Sequence, residues 1–247
     1  MSRNTDSNTA EIAKGINIID LALYLPEEKI LILADMHIGI EESLVRQGTL
    51  IPKFHFKDLA DRVQRIFSIL DSEKKKVKLV VINGDLKHEF GRISYEEWRN
   101  TLKMLDYLLR KAGKVVLVRG NHDNILGPIA EKRKVMLVDE FIVGDILICH
   151  GDKIPEIPTS IKTIIIGHDH PAVSIYDNLR KETFKAFIVG KHGRKTLIVQ
   201  PSMNPMTEGT DVKKERLLSP FLQKDLGNFD VYVVADEVYH FGKLKKI

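Results

Sequence analysis

Five apolar runs in this chain of 247 residues each stop on groups able to ligate a cation or move a proton. Ile30-Leu-Ile-Leu-Ala34 ends on Asp35 and His37, and Val77–Ile82 runs into Asn83-Gly-Asp85 with His88 three residues on. Val115–Val118 is followed by Gly120-Asn-His-Asp123, Asp145–Cys149 by His150-Gly-Asp152, and Thr163–Ile166 by Gly167-His-Asp-His170. The donor set is imidazole, carboxylate and one amide oxygen without a thiolate, which suits Mn, Fe or Zn better than a thiolate-selecting metal. Residues two apart on an extended chain point to one side, so Asp35 with His37, and His168 with His170, can aim at common points. Gly39, Gly84, Gly120, Gly151 and Gly167 let the backbone turn sharply beside a bound group. A single such ending reads as an ordinary turn or a satisfied structural histidine; five at strand ends do not. His55, His192 and His240 lie outside the pattern and keep the structural reading, and Cys149 reads as a small buried hydrophobe.

The elements that must position these groups are short strands alternating with helices. The five runs above are rich in Ile, Val and Leu and read as buried strands. In open α/β sheets ligands gather beyond the carboxyl ends of the strands, where all five endings fall. Over Lys53–Leu70, apolar residues recur at helical spacing. Ser94 and Glu97 form a capping box ahead of the stripe Trp98, Leu102, Leu105, Leu108 and Leu109, and Lys111-Ala-Gly113 closes that helix. After Val135 the pattern is mostly strands: Val135–Val138, Phe141–Val143, Val173–Tyr176, Phe184–Val189, Thr196–Gln200 and Val231–Val234. The fold class is therefore α/β, two sheets packed face to face with helices outside. Residues 1–12 read as a flexible polar tail, and 13–247 as a single domain. The charged stretch Asp211–Asn228 reads as a surface excursion. Residues 201–209 read either as a loop turned toward the site or as an ordinary connection.

Composition narrows the class. With 43% hydrophobic and 29% charged residues, this is an ordinary globular chain. No apolar run approaches the roughly 20 residues needed to span a bilayer, so no membrane partner is expected. The opening residues lack the apolar stretch of a signal peptide, and a single cysteine fits a reducing cytoplasm. The net charge of +4 suits an anionic substrate without specifying one. Runs such as Lys74-Lys75-Lys76 read as solvated surface.

The ordered motifs Asp-x-His, Gly-Asp, Gly-Asn-His-Asp, His and Gly-His-x-His over residues 30–171 resemble the calcineurin-like metallophosphoesterases. Within that superfamily the chain resembles the small SbcD-related enzymes, and most of all the ligase-associated PdeM-like group. That narrower likeness rests on Gly84-Asp-Leu-Lys-His-Glu-Phe90, Pro201-Ser-Met-Asn-Pro205, Leu218-Ser-Pro-Phe-Leu222 and Tyr239-His-Phe-Gly-Lys-Leu244. The resemblance implies a four-layer α/β/β/α sandwich carrying two divalent transition ions, expected to be Mn, with Fe or Zn as alternatives. It implies that Asp35, His37 and His170 hold the first ion, Asn121, His150 and His168 the second, and that Asp85 bridges them. His122 would protonate the leaving group, with Asp123 orienting its imidazole. Many members carry Asn or Asp where this chain has His88, which is expected to contact phosphate or a bound water.

The function these readings imply is a metal-dependent phosphodiesterase acting on nucleic acid or a nucleotide, with a link to DNA repair. The alternatives are a phosphomonoesterase or protein phosphatase, and a non-catalytic scaffold that keeps the fold. The complete ligand set, His122 included, argues against the scaffold. Protein partners are not legible in the sequence.

Overall fold

The computed structural model describes residues 9–50, 54–91, 93–177 and 180–247. The chain begins with four short strands, β1 (Thr9–Ala13), β2 (Ile16–Ile19), β3 (Ala22–Leu25) and β4 (Ile30–Ala34). Then come helices α1 (Ile40–Arg46) and α2 (His55–Ser72), strand β5 (Leu79–Asn83), α3 (Tyr95–Ala112), β6 (Val115–Val118), α4 (Gly127–Arg133) and β7 (Met136–Val138). These seven strands form one sheet in chain order, antiparallel from β1 to β4 and parallel from β4 to β7. Residues 9–12, read with the tail from the sequence, are part of β1. Alternation hid them: Ile12 alone is buried there, as suits an edge strand with one wet face. Residues 1–8 lie outside the described residues.

The second half supplies β8 (Glu140–Val143), β9 (Ile146–Cys149), β10 (Thr163–Ile166), β11 (Pro171–Asp177), β12 (Arg180–His192), β13 (Lys195–Val199) and β14 (Thr210–Asp211). Strands β15 (Asp230–Val234) and β16 (Val238–Lys243) follow. The second sheet runs β14-β11-β12-β13-β10-β9-β8, and β15 joins it against β12. At its centre β9, β10 and β13 are parallel, so β9 and β10 end on the same edge.

Period-two alternation shows how the sheets stack. Ile146, Ile148, Ile165 and Ile198 join the core shared with the first sheet, while Leu147, Cys149, Ile164, Ile166, Leu197 and Val199 face a second core. The outer face of the first sheet is covered by α2, α3 and α4. In α2, Leu59, Val63, Ile66, Phe67 and Leu70 form the buried stripe. In α3 the Ser94–Glu97 capping box is present, and Gly113 ends the helix at φ 74°, a left-handed conformation suited to glycine. The α/β/β/α sandwich is thus present, its last layer reduced to an irregular segment with one short 3-10 turn, Pro220–Leu222. That segment corrects the reading of 211–228 as a surface excursion. Apart from buried Asp211 its charges face outward, but Val212, Leu217, Phe221, Leu222 and Leu226 are buried against the second sheet. Among the described residues no helix is long and apolar enough to cross a membrane.

If this segment closes the second core, Phe221→Ala should cost about 3–5 kcal/mol of unfolding free energy by denaturant titration. Lys213→Ala, on the exposed side, should stay within about 0.5 kcal/mol. Equal, small effects would show that the segment is not part of the core.

Candidate metal centre

The carboxyl ends of β4, β5, β6, β9 and β10 meet at one edge of the sandwich, and their loops are laced together by backbone bonds. Asp35 N donates to Gly84 O (3.2 Å), His37 N to Asp85 O (2.9 Å), Ile38 N to Leu86 O (3.0 Å) and His88 N to Ile38 O (2.9 Å). The two acidic side chains extend the lacing. Asp35 accepts from the backbone N–H of His168 across the sheets at 3.2 Å, and Asp85 accepts from that of His122 at 2.9 Å. Each carboxylate therefore fixes the next loop while facing the centre.

The way these side chains converge differs from the extended geometry expected from their spacing. Asp35, His37, Asp85, His168 and His170 have φ of 52°, 47°, 46°, 71° and 48°. Left-handed backbone at non-glycine residues is uncommon and is held only where surroundings over-determine it, a pattern that clusters at functional sites. The strands thus stop in left-handed corners that swing both members of each pair inward. Close approach also needs glycine: a Cβ on Gly84 would lie 2.1 Å from the His150 ring, and one on Gly120 would lie 2.2 Å from Asp85 Oδ1.

Two donor groups contain a carboxylate: Asp35, His37 and His170 form the first, and Asp85, His150 and His168 the second, while a third, all imidazole, joins His37 to His88 and His122. His37 Nε2 faces His170 Nε2 at 3.2 Å, and His150 Nε2 faces His168 Nδ1 at 3.1 Å. Asn121 Oδ1 joins the second group, 2.9 Å from His150 Nε2. Asp85 Oδ2 lies between the groups, 3.7 Å from His37 Nε2 and 3.4 Å from His150 Nε2. Facing imidazole nitrogens framed by buried carboxylates form a donor set that fits borderline divalent cations. All seven sequence-identified ligand candidates are brought together.

Charge in the protein alone is distributed unevenly. Burial opposes ionisation of Asp85, but the hydrogen bond and charge of His150 hold its carboxyl well below the usual range. Burial likewise disfavours the His150 cation, yet Asp85 and Asp35 push its imidazole up to about 9. Burial and the neighbouring His170 hold His37 well below the ordinary histidine value.

His122 borders this set with Nε2 3.9 Å from Asp85 Oδ2. Its Nδ1 donates to the backbone carbonyl of His88, so Nδ1 carries the hydrogen and Nε2 faces the donor groups. This corrects the role expected of Asp123. Its carboxylate accepts from backbone N–H groups of Gly120 (3.0 Å), Leu86 and Lys87, and so braces two loops rather than orienting the His122 ring. Burial and the charge of Asp85 push Asp123 up to about 7. His88 sits behind the first group, its Nδ1 3.4 Å from His37 Nδ1, and its ring stacks near that of His122.

Several residues support the site in roles that the sequence did not indicate. Buried Glu97 accepts from the N–H groups of His88 and Glu89, each at 3.0 Å, so the capping box of α3 also holds the His88 loop. Lys87 Nζ is buried and donates to His122 O at 2.6 Å. Asp169, between two ligand candidates, accepts from Leu218 N (2.6 Å) and Ser219 N (2.9 Å), tying the 212–229 segment to the site. The 201–209 stretch does turn toward the site. Ser202 Oγ donates to Asp35 O at 2.6 Å, Met203 N to Ala34 O at 3.0 Å, and Asn204 Oδ1 pairs with buried His55 at 2.9 Å. His55, His192 and His240 stay outside the donor groups; His192 packs on Phe221 and His240 stacks on Tyr232. Cys149 is buried, which pushes its thiol up to about 12.

The chain is similar to known proteins in fold and family. The solved nuclease MPE of Pseudomonas putida superposes with a TM-score of 0.65 at 19% identity, covering 94% of this chain and 98% of that one. A Vps29 mutant of Entamoeba histolytica aligns at 16% identity and a TM-score of 0.35, covering 86% of this chain and 99% of its own. A search of curated proteins finds no significant match. The Calcineurin-like phosphoesterase family model matches residues 28–239, and thus takes in every corner that carries a ligand candidate. The chain is a member of the calcineurin-like phosphoesterase family.

Proposed function

We propose that this chain is a binuclear metal-dependent phosphodiesterase acting on nucleic acid or nucleotides. The observation that carries this reading is the convergence of two three-residue donor groups about Asp85, with His122 Nε2 beside them. In this reading Asp35, His37 and His170 hold one divalent ion, and Asn121, His150 and His168 the other. Asp85 serves both. Bound there, the ions would neutralise phosphate oxygens and acidify a water at neutral pH. Mn is the preferred ion for a set of imidazole and oxygen donors.

The protein groups then divide the remaining work. Water adds to phosphorus as it loses a proton to solvent, the bond from phosphorus to the leaving oxygen breaks, and that oxygen takes the Nε2 proton of a His122 imidazolium, which regains one from solvent. The His88 carbonyl keeps the other ring hydrogen in place, so the ring exchanges protons only on the side facing substrate. Lys87 and Asp123 hold the loops carrying His122 and Asp85, so proton donor and bridging carboxylate keep a fixed separation. The nuclease named for the Pseudomonas putida protein supports testing nucleic acid first. A role in DNA repair and a cytoplasmic location extend the same reading, the second supported by a single buried cysteine.

Purified protein with Mn²⁺ should hydrolyse bis-p-nitrophenyl phosphate. Absence of turnover with every divalent ion, on diesters and monoesters alike, would reject the reading. His122→Ala should retain two ions per chain by elemental analysis and lose at least about 100-fold in kcat. Cation uptake should also report the state of His150. Its pKa of about 9 means that it is protonated at pH 7, and its attraction to the carboxylates is lost as pH rises through that value. Mn²⁺ binding at pH 7 should therefore release about one proton, seen in calorimetry as a dependence on buffer ionisation heat that disappears above pH 9. Buffer-independent heats at pH 7 would show that His150 enters neutral.

A further inference from the structure

Phe90 is the one aromatic ring other than histidine that, among the described residues, is in ring contact with the histidines around the donor groups. Its centroid lies 3.7 Å from that of His122 with the planes tilted by 34°, yet Phe90 is 53% exposed. The ring thus presents part of its surface to solvent beside the group assigned as proton donor. The residues just before Phe90 are firmly held. Glu89, one residue earlier, is held through its N–H by Glu97 and through its carboxylate by Arg46 at 2.6 Å. Lys87 Nζ clasps the carbonyl of Glu89 as well as that of His122.

We infer that Phe90 forms the wall of a leaving-group subsite that takes a nucleobase. The inference rests on the proposed phosphodiesterase reading and deepens it by naming what lies beyond the scissile bond. The leaving oxygen must come within hydrogen-bond reach of His122 Nε2 to take its proton. Whatever that oxygen carries then starts beside the His122 ring, and Phe90 is the exposed surface in contact with that ring. Every nucleobase has a flat face, and stacking one on an aromatic side chain contributes about 1–3 kcal/mol without reading sequence. The subsite thus favours a base-bearing phosphate ester over one carrying only a sugar and is tolerant of base identity.

The test compares adenosine 5′-monophosphate with ribose 5-phosphate, which share phosphate and sugar and differ by the base. Both are measured as inhibitors of bis-p-nitrophenyl phosphate hydrolysis and, independently of turnover, by calorimetry on Mn²⁺-loaded protein. Wild type should bind the base-bearing compound roughly tenfold more tightly. Phe90→Leu, which still covers His122 but offers no π face, should bring the two affinities together, and Phe90→Trp should keep the preference. Equal affinities in wild type, or a preference that survives in Phe90→Leu, would overturn the inference. A protein that shows the calorimetric preference without hydrolysing any phosphate ester would sink the proposed activity and leave the subsite standing.

Discussion

Two buried carboxylates hold this site together. Asp35 and Asp85 are almost wholly removed from water, and an isolated buried carboxylate is strongly disfavoured unless hydrogen bonds and opposite charge surround it. Here the surroundings are the backbone N–H groups of two other loops and a ring of imidazoles. Satisfying the acids and assembling the site are therefore one event. The same demand explains the left-handed corners, because a strand that simply continued would carry its carboxylate away from those N–H groups. The glycines follow too, since the loops must approach within a distance that any Cβ would block.

The outer layer of support has a clear division of labour. Buried polar groups outside the donor groups, namely Glu97, Lys87, Asp123, Asp169 and Ser202, each bond to the backbone of a loop that carries a ligand candidate or of a neighbouring one. A hydrogen bond from a buried side chain to main chain restrains a whole segment, and charge-assisted bonds of this kind are the stronger class. Of the helices, α3 is tied to the site directly, through its capping glutamate, which faces inward.

Much of this was legible in the sequence, for identifiable reasons. Strands buried on both faces are continuous apolar runs, so β4, β5, β6, β9 and β10 stood out, and their polar endings with them. The α3 boundaries were legible because capping uses local chemistry. What was not legible depends on distant partners. Strands β1 to β3 are short and joined by tight turns, and only their pairing identifies them. The 212–229 segment hides its apolar residues among charges at irregular spacing, which no periodic template detects. The role of Asp123 was misread because adjacency in sequence suggested contact with His122, whereas the ring is held by the main chain of His88, 34 residues away. His88 itself needed the folded chain, which sets its side chain against His37.

The lacing between Asp35 and the N–H of His168 joins residues 133 positions apart, across the seam of two sheets. Contacts of such separation form late, because a long loop must close before they gain anything. The pocket consequently does not exist in a half-folded chain: the first sheet alone supplies Asp35, His37, Asp85 and Asn121 but none of the three histidines from β9 and β10 onward. An ion that binds only the complete set stabilises only the finished topology. The chemistry is thus withheld from nascent or partly unfolded forms by chain connectivity itself, and no separate inhibitory segment is needed to keep an immature hydrolase silent.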